Sequence, residues 1–260
     1  MKRGDVRWRT ILLGLLLAVA LVIGGLAAAV ATGLLLHDTS TPVSIGDVVA
    51  RFHRRGGATG SRDGVYVYVT RGSESVDALG GTKHRYPRRT SITSFGVPCG
   101  VRLRWEPLVE RSATWTLCKT PRGVELRGFQ VSHQFFGQSD TTSYTCGGSV
   151  LLPAHESTGA KSPFHCRSDH GREAGDARVV GFQTVSVAAK PLSAVHVQTT
   201  AAVSGGDHGT ETTDWWFDVR NGLALGIDLK SRTGRGLPIV GTVHYREDAS
   251  LRLLSTRPLR

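Results

Sequence analysis

DWWFDVRNGLALGIDL, residues 214–229, carries two tryptophans and a phenylalanine into an Asn-Gly pair and leaves it on alternating apolar residues. Successive side chains of a strand point to opposite faces, so alternation sorts this stretch. Trp215 and Phe217 share one face, and Trp216 shares the other with Asp214 and Asp218. Past the turn, Leu223, Leu225, Ile227 and Leu229 make one apolar face opposite Asp228 and Lys230. Asn221-Gly222 supplies the positive φ that a tight hairpin with a bulge needs. The segment reads as a β-hairpin with one dry face, and Trp216 is the aromatic left for a surface contact.

The same period of two governs the chain from Gly64 onward. Val65, Val67 and Val69 alternate with Tyr66 and Tyr68; Val101, Leu103 and Trp105 alternate with Arg102, Arg104 and Glu106; Ala113, Trp115 and Leu117 alternate with Ser112, Thr114 and Thr116. Val124 and Leu126 continue until Gly128, where Phe129 and Val131 take the opposite phase, the mark of a β-bulge. Further strands read at 178–189, 192–203, 210–218, 223–231 and 239–254. In the last, Val243, Tyr245, Leu251 and Leu253 face away from His244, Arg246, Ser250 and Arg252. Short connections imply an antiparallel meander. Before it, SIGDVVARFHRR (44–55) places Ile45, Val48, Val49 and Phe52 on one helical stripe, started by Ser44 with Asp47 and ended by Gly56-Gly57. Residues 44–260 therefore form one mainly β domain, interrupted by a polar loop at 147–177. The basic cluster Lys83-His84-Arg85-Tyr86-Pro87-Arg88-Arg89 reads as a solvated loop or, more sharply, as a contact for anionic lipid headgroups. The aromatic run His133–Phe136 reads as core filling or as the lip of a ligand cavity.

Ahead of the domain, a tail of residues 1–10 carries Lys2, Arg3, Arg7 and Arg9, and an uncharged run extends from Ile11 to Leu36. Such a run is long enough to cross a hydrocarbon core of about 30 Å. The positive-inside rule puts the tail in the cytoplasm and, after a linker at 37–43, the β domain outside, as a single-pass protein of the plasma membrane. The rival reading is a cleaved signal peptide ending near Ala29-Val30-Ala31, but the apolar run continues past that point. All four cysteines follow the run, in a compartment where disulfides form. Four cysteines allow three connectivities; matching Leu103 to Trp115 across the 100–106 and 112–118 hairpin brings Cys118 beside Gly100, which makes Cys99–Cys118 the first expected pairing and leaves Cys146 for Cys166. The alternative, a zinc site of Cys146, Cys166 and His170 with His155 or His165, has no compact ligand spacing.

The chain carries a net charge of +11. No basic helix or aromatic RNA-binding motif accompanies that charge, so nucleic acid is not an expected partner. Neither a nucleophile elbow, nor a phosphate-binding loop, nor a paired-histidine zinc motif is present. Glu211 and Asp214 fall on opposite strand faces, and His196 and His244, inside strands, read as surface or hydrogen-bonded histidines and not as general bases. No catalytic residue, cofactor or metal is expected; an unrecognised hydrolase remains an alternative.

Helix 44–55 leading into a long meander resembles the half-barrel of the LolA-like superfamily: lipoprotein carriers, lipoprotein-binding regulators of anti-sigma factors and mycobacterial lipid-carrying lipoproteins. Trp216-Phe217-Asp218-Val219-Arg220-Asn221-Gly222-Leu223-Ala224-Leu225 is similar to their W-L-D-P-x-T-G-L-P-L hairpin, with Val219, Asn221 and Ala224 departing from it. The resemblance implies a curved, open antiparallel sheet whose concave face binds acyl chains or lipoproteins. Ile45, Val48, Val49 and Phe52 would be its plug. Val101, Leu103, Trp105, Trp115, Leu117, Trp215 and Phe217 would line the cavity. The functional expectation is thus an extracytoplasmic domain that binds lipid, lipoprotein or another envelope protein, the alternative being a structural or protein-interaction domain with a filled core.

Overall fold

The structure, a computed structural model, describes residues 38–58, 60, 62–155, 157–237 and 241–260. The expected cytoplasmic tail and the apolar span at 11–36 lie outside the described residues. Among the described residues, no helix is long and apolar enough to cross a membrane.

Helix α1 (Ile45–Arg54) forms as its pattern dictates. The Ser44 hydroxyl caps it by accepting from the Asp47 amide at 3.0 Å. Thirteen strands follow among the described residues: β1 (Gly64–Val76), β2 (Thr82–Arg85), β3 (Arg89–Val97), β4 (Gly100–Leu108), β5 (Arg111–Thr120), β6 (Gly123–Phe135), β7 (Gln138–Pro153), β8 (Lys161–Arg167), β9 (Gly171–Val187), β10 (Lys190–Gly205), β11 (Asp207–Asp218), β12 (Ala224–Leu237) and β13 (Gly241–Leu253). They pair antiparallel in chain order from β3 to β13. β2 and β3 run one after the other along a single edge of β1, opposite Ser73–Val76 and Gly64–Val69.

The resemblance implied an open half-barrel, and here the structure differs. The other edge of β1 pairs with β13 from Tyr68↔Leu253 to Val76↔Tyr245, so the ladder closes on itself. Closure pairs the edges of β1 and β13 with each other. Gly72 lies inside this seam at φ +135°, opposite Ala249. A Cβ there would sit 2.0 Å from the Asp248 carbonyl oxygen, so only glycine lets the two strands come this close.

The inner face carries the core: Tyr68, Trp105, Leu225, Ile227 and Leu251 are all at most 1% exposed. Opposite walls touch where Trp115 of β5 meets Trp215 of β11 edge-to-face at 5.3 Å. Helix α1 is not a plug in this interior. Val48 and Phe52 pack on Val65 and Phe95, with Val49 against the same cluster, on the outer side of β1 and β3. Tyr66 and Tyr68 take the opposite parity and point inward. Arg51 reinforces the outer position by bonding Glu106 of β4 at 3.3 Å.

Two expected loops are largely strand: Lys83–Arg85 belongs to β2, Arg89 opens β3, and 86–88 connect them. Lys83–Arg89 alternates, with His84 and Tyr86 buried inside and Lys83, Arg85, Arg88 and Arg89 exposed. Within 147–177, residues 147–153, 161–167 and 171–177 belong to β7, β8 and β9. Their inward positions include Ser149, Ser162, Glu173 and Gly175, so the period of two is present without a hydrophobic signal.

Both disulfides pair as the sequence implied, Cys99 with Cys118 and Cys146 with Cys166. The second sits at the thinnest part of the wall. β7 and β8 share only the pairs Thr145↔Arg167 and Cys146↔Cys166, and past Gly147-Gly148 the Ser149 hydroxyl substitutes for the ladder by bonding the His165 amide and carbonyl. Replacing Cys146 and Cys166 by serine is expected to cost about 3 kcal/mol in denaturant unfolding and to speed amide exchange first at 145–146 and 166–167. The Cys99/Cys118 pair closes a loop of similar length beside the long β4–β5 ladder, so its removal should cost stability without opening β7–β8. Unchanged exchange at 166–167 after the first replacement would show that the hydrogen bonds alone hold this seam.

Candidate functional site

One cross-strand row gives the barrel interior its polar layer. Glu211 of β11 pairs with Ser231 of β12, Ser231 with Glu247 of β13, Glu247 with Glu74 of β1, and Glu74 with His84 of β2. Each falls on the inward parity of its strand, so five neighbouring strands deliver polar side chains at one level. Arg111 of β5 and His133 of β6, themselves register partners, face this row from the opposite wall.

Arg111 spans the interior at 2% exposure. Its Nε and Nη2 donate to Glu247 Oε1 and Oε2 at 3.2 and 2.9 Å, Nε lies 3.6 Å from Glu74 Oε2, and Nη1 donates to the Ser112 carbonyl. The guanidinium also lies 5.5 Å from the Trp105 ring centre. Tyr86 donates to Glu247 at 2.5 Å, and Tyr245 donates to both Glu74 and Glu247 at 3.1 Å. His133 and His84 contact Glu74 through Nδ1 at 2.9 and 3.3 Å.

The protonation states follow from this wiring. Burial alone would raise the Glu74 carboxyl, but hydrogen bonds from His133 and His84 and the charges of His133 and Arg111 more than offset it, bringing it down to about 2. Burial would likewise lower Arg111; the charge of Glu247, with Tyr245, Tyr86 and Glu74, outweighs that and holds it well above its ordinary value. Burial and the Glu247 and Glu74 charges push the Tyr86 and Tyr245 hydroxyls well up, which keeps them protonated as donors.

Beside this neutralised cluster lies a cavity of about 70 Å³, lined by Glu173, Glu211, Thr199, Ser231, Arg111 and His133, with Trp115, Phe129, Phe164 and Trp215 among its apolar walls. Burial and the neighbouring Glu211 raise the Glu173 carboxyl well above its ordinary value. Burial and Glu247 also raise Glu211, against the hydrogen bond from Ser231 at 2.8 Å.

A second cavity, of about 200 Å³, occupies the end of the barrel at the 219–223 turn. Val101, Leu103, Leu117, Val124, Leu152, Phe217, Leu223 and Ala224 line it, with Arg62, Asp63, Lys119 and Asn221 at its border. Asp218 shapes the turn by accepting from the Arg220 amide at 2.8 Å and from Asn221 at 3.3 Å, and Gly222 alone in the turn takes a positive φ.

The cavity residues named from sequence therefore separate. Val101, Leu103, Leu117 and Phe217 line the apolar cavity, Trp115 and Trp215 line the polar one, and Trp105 lines neither, being packed against Tyr86 and Arg111. Ile45, Val48, Val49 and Phe52 line neither of these two. Trp216 is not free for a surface contact: His196 stacks on its ring at 4.5 Å and the Arg252 guanidinium lies 4.5 Å from its ring centre. His196 and His244 are hydrogen-bonded to Asp214 and Asp77 as expected. Glu74, Glu173 and Glu247 were missed, although Glu74 and Glu247 are charges in phase with buried apolar neighbours; Glu173 lies in phase with Gly171 and Gly175, which give no such signal.

No protein family matches the chain, and no curated protein matches it. Among solved structures it is similar to the crystal structure of the hypothetical lipoprotein YmcC from Escherichia coli, with a TM-score of 0.37 and 11% identity, over 80% of this chain and 97% of that one. A likeness this distant carries neither family nor function across.

Stability should reflect the two classes of carboxyl with opposite signs. Glu74, held below its ordinary value of 4.5, contributes stability that is present above that pH and lost as pH falls toward about 2. Glu173 and Glu211, held above 4.5, contribute stability present below it and lost as pH rises through their raised values. Thermal melts across pH are expected to peak in the weakly acidic range. Glu173→Gln should flatten the alkaline limb, whereas Glu74→Gln should flatten the acid limb and cost about 3–5 kcal/mol by stranding buried charge. An alkaline limb unchanged in Glu173→Gln would refute the assignment.

Proposed function

We propose that the chain is a single-span envelope protein whose extracytoplasmic β domain holds the apolar end of a lipid or of a lipidated partner. The observation that carries this reading is the apolar cavity at the 219–223 end. Its size defines the cargo. An apolar cavity of about 150 Å³ accepts a benzene-sized guest, whereas pockets enclosing whole ligands run from about 300 Å³ upward. A cavity of about 200 Å³ suits one end of a chain, leaving the polar remainder at a border where Arg62, Asp63, Lys119 and Asn221 stand. The uncharged run at 11–36 with basic residues before it, and two disulfides after it, support the outside placement. No catalytic step belongs to this reading.

The filled waist of the barrel favours the second reading, a structural or protein-interaction domain with no cargo. Trp105, Trp115 and Trp215 occupy the space that a carrier with a continuous channel would leave empty.

Photo-crosslinking separates the two. In membranes containing the full chain, a fatty acid with a terminal diazirine is expected to label peptides bearing Val101, Leu117, Phe217 or Leu223. Val101→Trp, which fills the cavity with an apolar ring, should reduce that labelling about tenfold, equivalent to about 1.4 kcal/mol. Label confined to residues 11–36, or unaffected by Val101→Trp, would support the filled-domain reading instead.

A further inference from the structure

Glu173 is 4% exposed and borders the smaller cavity, and no hydrogen bond reaches its side chain among those of the described residues. Buried polar groups are normally paired, so an isolated carboxyl aimed into a cavity is the exception that asks for an occupant. Register places it close to the polar row. Glu173 pairs with Val203, two residues from Ala201, and Ala201 pairs with Glu211, so both carboxyls flank β10 on its inner face.

The cations nearest the pair are already engaged. Arg111 is bonded to Glu247 and the Ser112 carbonyl and lies against Glu74, and His133 is bonded to Glu74. Lys230 borders the cavity from the outward parity of β12 and is exposed. The remaining groups that face or act on the pair are acidic or neutral: Glu247 and Tyr245 from β13, and Tyr144 from β7. An ionised Glu173–Glu211 pair therefore lacks a dedicated counter-charge.

We propose that this cavity binds a compact primary ammonium group, held between Glu173 and Glu211. The chemistry of the walls selects that class. An ammonium offers three N–H donors; Glu173 and Glu211 accept two, and the Thr199 or Ser231 hydroxyl accepts the third, since each donates its own proton elsewhere. The Trp115 and Trp215 rings border the same space and attract a desolvated cation. A metal ion is disfavoured, because among the described residues no three His, Cys, Asp or Glu side chains are grouped to hold one. About 70 Å³ is room for two water molecules at about 30 Å³ each, so the guest is no bulkier than methylammonium or the amine end of a longer molecule.

Binding exchanges a cation for protons. Burial raises both carboxyls of the empty pair, which favours their protonated forms, and the incoming ammonium takes the place of the protons they hold. Affinity should therefore rise with pH, with proton release into weakly buffered solution.

The test uses the full chain in lipid nanodiscs, titrated with methylammonium chloride at constant ionic strength and read by tryptophan fluorescence and proton release. Sodium and tetramethylammonium serve as competitors. Saturable binding of methylammonium alone, tighter at pH about 8.5 than at about 6, is the expected result. Glu173→Gln and Glu211→Gln should each weaken it at least about tenfold without lowering the melting temperature, and Val101→Trp should leave it intact. Phosphoethanolamine as a second titrant distinguishes a free small amine from the amine end of a larger molecule. No saturable response, an equal response to sodium, proton uptake without amine binding, or unchanged affinity in both glutamine variants would overturn the proposal.

Discussion

Everything inside this domain depends on the ladder between β1 and β13. Residues 68–76 pair with 245–253, and that seam turns an eleven-strand sequential meander into a closed wall. An open sheet could leave its concave face in water. Once the seam forms, every inward polar group must find its partners inside, because burial without a partner costs about 1–3 kcal/mol per group and more for a charge. The seam itself places Glu74 opposite Glu247, two carboxylates in direct register with their side chains on the dry side. Alone, that pairing would repel. Arg111, reaching across from β5, and the hydroxyls of Tyr86 and Tyr245 make it tolerable. Closure and the buried ion cluster are one structural solution: either without the other would be unfavourable.

Buried ion clusters are weak sources of net stability, since desolvation consumes most of the Coulombic gain. This one has a different use. A ring of twelve strands encloses more space than side chains fill easily; about eight strands is the size that packs itself. Arg111, Trp115 and Trp215 are the long side chains that bring opposite walls into contact. An arginine hydrogen-bonded to Glu247 and ion-paired with Glu74 fixes the register of those walls in a way that an apolar side chain of similar length would not.

The pattern of a strand was legible wherever its inward residues are apolar. Trp215, Phe217, Leu225, Ile227 and Leu229 are buried as alternation required, and Trp216 faces the other way. The hairpin of β4 and β5 has the register that matching Leu103 to Trp115 demanded, which placed Cys99 near Cys118. Legibility failed where inward positions carry polar or small residues. A single inward histidine, His84, hid β2 within a basic run; Ser162, Glu173 and Gly175 hid β8 and β9 within a polar one. Closure was illegible for a different reason: β1 and β13 are separated by almost the whole domain, and nothing local in either says that they meet. The polar site did leave a trace. Glu74 is in phase with Tyr66 and Tyr68, Glu211 with Trp215 and Phe217, and Glu247 with Tyr245 and Leu251. A lone carboxylate on the dry face of a strand is a stronger signal than its weak motif value suggests, because such positions are tolerated only when another strand supplies a partner.

The two cavities are separated by a single aromatic layer. On β5, Trp115 borders the polar cavity and Leu117 the apolar one; on β11, Trp215 and Phe217 divide in the same way. Trp215 stacks on Phe217 at 5.4 Å and meets Trp115 edge-on at 5.3 Å, so the partition is made by the hairpin strand that first identified the fold. Rings packed this closely are stiff, and a displacement of Phe217 by a guest in the apolar cavity has Trp215 as its first neighbour. Trp215 in turn borders the cavity that Glu173 and Glu211 share. The alternation of two residues along one strand thus sets both the separation of an apolar site from an acidic one and the shortest physical route between them.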